Sequence, residues 1–185
     1  MGTMGTVERI EEAASSEGPA AVTTLVFTGK CPPLDRIDPQ LGTKFGQTCQ
    51  KLSVSSNSID RLSGLAGFQA LQILSVGRNC LKRLDGLEAV CGTLRELWAS
   101  YNQLERLSGI EQCESLQVLY LSNNKIKDLA EIDRLAQLPH LEDLLLVGNP
   151  IQAANPAAYR AKVLRRLPHL KKLDGKLVTA EEVAK

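Results

Sequence analysis

One asparagine-anchored pattern recurs five times in this chain and leaves it few folds to adopt. Reading from Leu52, the frame Leu-x-Val-x-x-Asn-x-Ile-x-x-Leu runs to Leu62. It returns at Leu74, Val76, Asn79, Leu81 and Leu84, at Leu97, Ala99, Asn102, Leu104 and Leu107, and at Leu119, Leu121, Asn124, Ile126 and Leu129. A last copy reads Leu144, Leu146, Asn149 and Ile151. The asparagines Asn57, Asn79, Asn102, Asn124 and Asn149 stand 22, 23, 22 and 25 residues apart. Self-similarity at such a period means one supersecondary unit per copy, each too small to bury its apolar face alone and therefore stacked on its neighbours.

The offsets match the leucine-rich repeat, whose period is about 20–29 residues. The expected fold is α/β: a leucine-rich repeat solenoid with a short-stranded parallel sheet, about six repeats, and helical caps at both ends. Each Leu-x-Leu lays down one strand, the chain turns, and a helical or 3₁₀ segment returns it. The asparagine amide can pair backbone groups that the turn leaves unsatisfied, so the five asparagines are structural. Gly64, Gly86 and Gly109 recur after the turn leucine and serve the bend into the return segment. Returning segments close on the in-register pairs Phe68 and Leu71, Cys91 and Leu94, Cys113 and Leu116, and Leu138 and Leu141. Cys49, Cys91 and Cys113 are therefore read as small core residues, while Cys80, following an asparagine, falls at an outer slot.

Four segments follow from this register. Residues 1–20 are read as an N-terminal helix, Thr6 to Ala14, and a linker. Residues 21–152 form the solenoid, opening on a degenerate repeat with Leu25, Phe27, Leu34 and Ile37 that Pro32 and Pro33 distort. Residues 153–175 are a helical cap, with Asn155 as N-cap, Pro156 at the first helical position, and Tyr159, Val163, Leu164 and Leu167 on the inner side of a helix ending near Leu167. Residues 176–185 are read as a short, loosely held tail.

The pattern is poor in chemistry. No G-x-S-x-G, P-loop, H-E-x-x-H, G-x-G-x-x-G or calcium loop occurs. The two histidines, His140 and His169, both lie between a proline and a leucine in equivalent repeat slots, which reads as solvated surface. The chain is read as a non-enzyme without cofactor or metal. Lys and Arg number 22 against 21 Asp and Glu, a net charge of +1 that gives no overall pull toward nucleic acid or an anionic membrane. No apolar run reaches the length of a membrane span, and Met1 to Ser16 lacks the apolar core of an export signal. Five cysteines with no C-x-x-C pair fit a reduced intracellular compartment.

Strand alternation points to a surface with a purpose. If Leu97 and Ala99 face inward, Trp98 and Ser100 face out. The residue between the core positions runs Ser53, Ser75, Trp98, Tyr120, Leu145, and two positions on it runs Ser55, Gly77, Ser100, Ser122, Val147. The later repeats should therefore carry an apolar patch of Trp98, Tyr120, Leu145 and Val147, with Tyr101 and Arg78 at its margin. Such patches mark partner sites, and Trp, Tyr and Arg dominate interface hot spots. The competing reading is that the chain's own ends fold over this face.

A second feature is the basic run Arg160, Lys162, Arg165, Arg166, His169, Lys171, Lys172 and Lys176, interrupted by Asp174. It is either a solvated helix face with cations near its C-terminus or a candidate contact for an acidic surface, with Lys162, Arg165, Arg166, Lys171 and Lys172 as the contacting residues. Nucleic acid fits less well, because no aromatics interleave the cations.

Several stretches go beyond the generic repeat: Leu74-Ser-Val-Gly-Arg-Asn79, Gly86-Leu-Glu-Ala-Val90, Leu94-Arg-Glu-Leu-Trp-Ala-Ser-Tyr-Asn102, Leu119-Tyr-Leu-Ser-Asn-Asn-Lys-Ile-Lys-Asp128, Leu141-Glu-Asp-Leu-Leu-Leu-Val-Gly-Asn-Pro150 and Leu167-Pro-His-Leu-Lys-Lys-Leu-Asp-Gly175. In these the chain resembles the axonemal outer-arm dynein light chain 1 family, from about Leu25 to Gly175. The resemblance implies a non-catalytic subunit of the outer dynein arm in the cytoplasm and axoneme of cilia and flagella. It implies binding of a dynein heavy-chain motor region, at the microtubule-binding stalk tip, through the sheet face, close to tubulin, and modulation of beating. Carried over by position, Trp98, Tyr101, Tyr120, Leu145 and Val147 would form the heavy-chain surface. Family members carry a longer charged tail than the one ending at Lys185, so no tail residue is carried over. The free chain is expected to be a monomer. Two other readings stand beside this one: a regulatory subunit of a protein phosphatase, and a scaffold in a ribonucleoprotein assembly.

Overall fold

The computed structural model describes residues 22–183, so the expected helix over Thr6 to Ala14 and the linker after it lie outside the described residues. Strands β1 (Thr24–Val26), β2 (Lys51–Ser53), β3 (Ile73–Ser75), β4 (Glu96–Trp98), β5 (Val118–Tyr120), β6 (Asp143–Leu145) and β7 (Lys172–Leu173) pair in parallel in chain order. β8 (Lys176–Leu177) adds antiparallel to β7. Leu25, Leu52, Leu74, Leu97, Leu119, Leu144 and Leu173 align across the sheet and are all buried. This is a leucine-rich repeat solenoid, in which each repeat meets mainly its neighbours.

The return segments vary while their core slots stay constant. Helix α1 (Pro39–Phe45) serves the first, capped by Asp38, whose Oδ1 accepts from Gln40 N at 2.9 Å. Single 3₁₀ turns at Leu87–Ala89 and Ile110–Gln112 serve two later ones, and α2 (Ala130–Leu135) serves the next. Gly64, Gly86 and Gly109 enter these segments at φ of +93°, +98° and +95°, a region that L side chains rarely adopt. The closing pairs Phe68/Leu71, Cys91/Leu94, Cys113/Leu116 and Leu138/Leu141 are all buried.

The asparagine ladder is continuous. Each Oδ1 accepts a backbone N–H of the preceding repeat: Leu34 for Asn57, Ile59 for Asn79, Leu81 for Asn102, Leu104 for Asn124 and Ile126 for Asn149, all at 3.0 Å. Each Nδ2 donates to one carbonyl of the repeat before and to one or two of its own. Asn102 Nδ2, for example, reaches Ala99 O and Val76 O, both at 3.0 Å. A buried amide thus satisfies at least three backbone groups around the turn.

After β6 the chain forms α3 (Pro150–Ala154) and α4 (Pro156–Arg166). Asn155 Oδ1 accepts from Ala158 N at 3.1 Å, and Tyr159, Val163, Leu164 and Leu167 are buried. Asp174 then closes the ladder from the other side: its Oδ1 accepts from Leu146 N and Val147 N at 2.7 and 2.9 Å, and its Oδ2 accepts from the Tyr159 hydroxyl at 2.9 Å.

One expectation is corrected: the stretch from Lys176, expected as a short, loosely held tail, is pinned as far as Val183. Asp174 and Gly175 both adopt positive φ, the requirement of a two-residue type I′ hairpin, which returns β8 onto β7 and leads into α5 (Ala180–Val183). Arg160 of α4 holds this segment, its guanidinium donating to Glu182, Leu173 O and Leu177 O. Cys91 and Cys113 are both buried, as their core slot requires, and their sulfurs are joined in a disulfide. Stacking places the same slot of adjacent turns 4.1 Å apart at Cα, so a 22-residue sequence separation becomes direct contact.

Candidate partner-binding face

The sheet register fixes the geometry of the outer face. Ser53, Ser75, Trp98, Tyr120 and Leu145 are consecutive partners across β2 to β6. The Trp98 and Tyr120 rings are stacked at 21° with centroids 6.3 Å apart. Neither is buried, and neither is Leu145 beside Tyr120. Val147, two residues along, is 39% exposed, and Tyr101, 49% exposed, carries the Arg78 guanidinium over its ring at 4.5 Å. The structure thus places Trp98, Tyr120, Leu145 and Val147 in one neighbourhood, with Tyr101 and Arg78 together at its edge.

Polar groups hold the aromatics flat. Trp98 Nε1 donates to Glu96 Oε2 at 3.0 Å, and Lys51 Nζ sits 5.1 Å from the indole centroid. The Tyr120 hydroxyl donates to Asp143 Oδ2 at 3.1 Å, and Lys172 Nζ donates to the same oxygen at 3.0 Å. Partial burial, followed by the hydrogen bond and the charge of Asp143, raises the Tyr120 pKa. Asp143 in turn raises that of Lys172. With each ring's polar atom satisfied from the side, the rings present apolar surface, with the Lys51 ammonium over part of the indole.

Sequence reading missed two members of the patch. Ile73 and Val118 occupy the first position of their strands, flank Glu96 in register and are half-buried on the same face. Their row also holds Lys51, Glu96, Asp143 and Lys172, and this mixture hides it from a search for apolar periodicity. Extending the outward positions two residues back from Trp98 would have found them.

The basic run is largely neutralised. Lys171 Nζ meets Glu142 Oε1 at 2.6 Å, Lys172 meets Asp143, and Arg160 meets Glu182. Arg166 Nε lies 2.8 Å from Asp133 Oδ1, an ion contact without hydrogen-bond angles. Lys162 and Arg165 project outward from α4 without a carboxylate among the described residues. The five cations singled out in the sequence therefore do not form one free cluster. His140 and His169 are exposed, and no group of three His, Cys, Asp or Glu among the described residues could hold a metal. No helix among them is long and apolar enough to cross a membrane.

Comparison with known proteins places this architecture. A leucine-rich repeat family model of two copies matches residues 93–137 and 114–159. Dynein axonemal light chain 1 of Chlamydomonas reinhardtii is 45% identical over 179 residues, covering 94% of this chain and 89% of its own. The Xenopus laevis protein of the same name is 49% identical over 153 residues, covering 82% and 79%, and the human one 44% over 166 residues, covering 89% and 86%. Among solved structures, a chain of the Drosophila melanogaster SNF/U2A′ complex superposes with a TM-score of 0.68 at 22% identity, over 82% of this chain and 90% of that one. A leucine-rich repeat protein of Leptospira interrogans superposes at 0.62 and 25% identity, over 76% of this chain and 34% of its own. At this identity the structural likenesses speak for the fold alone.

Proposed function

This chain belongs to the dynein axonemal light chain 1 family, and from that premise we propose that it is a non-catalytic light chain that docks through its sheet face on an outer-arm dynein heavy chain. Its place of work is the axoneme of a cilium or flagellum, and its effect is to modulate the motor and hence the beat. The docking site on the heavy chain is the microtubule-binding end of the stalk, which sets the light chain beside tubulin. The free chain is a monomer.

The observation that carries the reading is the uninterrupted row Trp98, Tyr120 and Leu145 on adjacent strands, flanked by Ile73, Val118 and Val147. A monomer gains nothing from setting its one tryptophan outside a core that leucines already fill. Large aromatics in an apolar patch with a polar rim are what interface hot spots are made of. Arg78 and Tyr101 form that rim on one side, and Asp143 and Lys172 on the other.

The test is co-precipitation of the heavy-chain stalk tip with the wild-type chain and with the double variant Trp98→Ala/Tyr120→Ala. Hot-spot truncations cost about 2 kcal/mol or more each, so the variant should lose the complex while keeping its circular dichroism. Retention of the complex would show that the docking surface lies elsewhere.

A further inference from the structure

The flank that follows the asparagine turn, away from the sheet face, carries a column of like charge. Arg61, Arg83 and Arg106 stand four residues after Asn57, Asn79 and Asn102, the same slot in three successive repeats, and all three are exposed. Asp128 takes that slot next and ends the column. Between the last turns of the column lies an open groove of about 370 Å³. Four cations line it, Lys82, Arg83, Arg106 and Lys125, against one acid, Glu105, and Gln103 and Ser108 complete the wall. The groove continues past Arg83 toward Arg61, where Asp60 and Asp85 also border it.

Within the fold these cations are little used. Arg83 pairs with Asp85 at 3.0 Å, but both side chains are more than half exposed, and such a pair contributes about 0–1 kcal/mol. Arg61, Lys82, Arg106 and Lys125 have no ion pair among the described residues, unlike Arg160, Arg166, Lys171 and Lys172 of the cap, each of which faces a carboxylate. Like charges stacked on neighbouring turns repel, and the exposed Asp60, Asp85 and Glu105 beside them offset this only in part. A planar guanidinium presents a fork that matches a carboxylate. Neighbouring strands lie about 4.8 Å apart, so three stacked arginines span about 10 Å, the reach of three to four extended residues at about 3.3 Å each.

We propose that this flank binds an acidic segment of a partner polypeptide, with Arg61, Arg83 and Arg106 receiving successive carboxylates and Lys82 and Lys125 adding charge at the groove wall. The contact is separate from the sheet face, so both surfaces can be engaged at once. It also moves the chain's electrostatic contact from the cap helix, where the sequence suggested it, to the side of the solenoid.

The test is fluorescence anisotropy of a labelled octaglutamate peptide with the full chain at 50 and 200 mM salt. Binding should be present at low salt and weaken at least fivefold at high salt. Arg61→Glu/Arg106→Glu should weaken it at least tenfold, whereas Lys162→Glu/Arg165→Glu and Trp98→Ala/Tyr120→Ala should each change it less than twofold. All the charge-reversed positions are exposed, so circular dichroism should be unaltered. Absence of binding at 50 mM salt would overturn the proposal. So would equal loss in the Lys162/Arg165 variant, or a single-stranded RNA octamer that binds more tightly than the peptide and loses affinity in the Arg61/Arg106 variant.

Discussion

Trp98 and Tyr120 sit opposite each other on β4 and β5, rings stacked at 6.3 Å, each tethered by its polar atom to a carboxylate, Glu96 and Asp143 respectively. The tethers restrict each ring before any partner arrives, so less side-chain freedom is lost on binding. Because Trp98 is the only tryptophan in the chain, its emission is a direct report from the proposed docking face. On addition of the heavy-chain stalk tip, with the tip's own signal subtracted, the spectrum should shift to the blue as the indole leaves water. Glu96→Gln keeps a weaker acceptor and should reduce affinity less than Trp98→Ala does. An unshifted spectrum under saturating partner would place the contact away from Trp98.

The ladder makes a sharper prediction about its end than about its middle. Val76 O and Ala99 O each receive two asparagine amides, from Asn79 and Asn102 and from Asn102 and Asn124. Asn102→Ala therefore leaves both carbonyls with a donor and orphans only Leu81 N–H. Leu146 O has Asn149 alone as side-chain donor among the described residues, so Asn149→Ala orphans both that carbonyl and Ile126 N–H. A buried unsatisfied group costs about 1–3 kcal/mol. Urea unfolding should show both variants destabilised, Asn149→Ala by about 1–2 kcal/mol more. Equal losses would mean that water reaches Leu146 O.

The residues that repeat were legible in the sequence, and the residues that meet only once were not. The five asparagines fixed strand register, and register fixed which side chains share a row, so Trp98, Tyr120 and Leu145 could be set side by side. Ile73 and Val118 escaped because their row mixes charge with aliphatic carbon. Lys171 with Glu142 and Lys172 with Asp143 lie 29 residues apart in each pair, and their meeting depends on how the cap stacks on the last repeat. That geometry also decides whether the basic run is free. The Asp174–Gly175 hairpin did leave a local signal, the Asp-Gly dipeptide, but leucine periodicity stops there and the segment read as a tail. Cys91 and Cys113 share a slot whose leucine-like role was readable, while the contact of their sulfurs is a property of the stack.

The free cysteines should be chemically unequal. Burial pushes the Cys49 thiol up to about 11, against hydrogen bonds from Lys51 and Leu25 backbone groups that pull it down. At pH 8 a thiol titrating at about 11 is ionised in roughly one molecule per thousand, and the thiolate is the reactive form. Cys31 is exposed. Titration of the native chain with a thiol reagent at pH 8 should show a fast reaction whose amplitude Cys31→Ser lowers, the remainder belonging to the partly exposed Cys80. Cys49 should react only after denaturant is added. Fast modification of Cys49 in the native chain would show that the first repeat opens readily.

The Arg160–Glu182 contact gives the C-terminal hairpin a pH dependence. Glu182 Oε1 and Oε2 accept from Arg160 at 2.6 and 3.1 Å, and Thr179 N donates to Oε2 at 3.0 Å. The Arg160 hydrogen bonds first, then that of Thr179, hold the Glu182 pKa at about 2 instead of the ordinary 4.5. With the docked value below the undocked one, the undocked segment takes up more protons as pH falls. The contribution to docking is therefore complete above about pH 4.5 and is lost as pH descends through about 2. The reporter is the Val178 amide, which donates to Lys171 O across the hairpin at 2.9 Å. Its protection from hydrogen exchange, corrected for intrinsic rate, should stay level from pH 7 to 5 and decline between 4.5 and 2. Glu182→Gln should lower protection at neutral pH and remove the acid decline, while the protection of strand amides such as Val76 stays unchanged. A decline that persists in the Gln variant would assign the titration to another carboxylate and leave Arg160 as a neutral-pH clamp only.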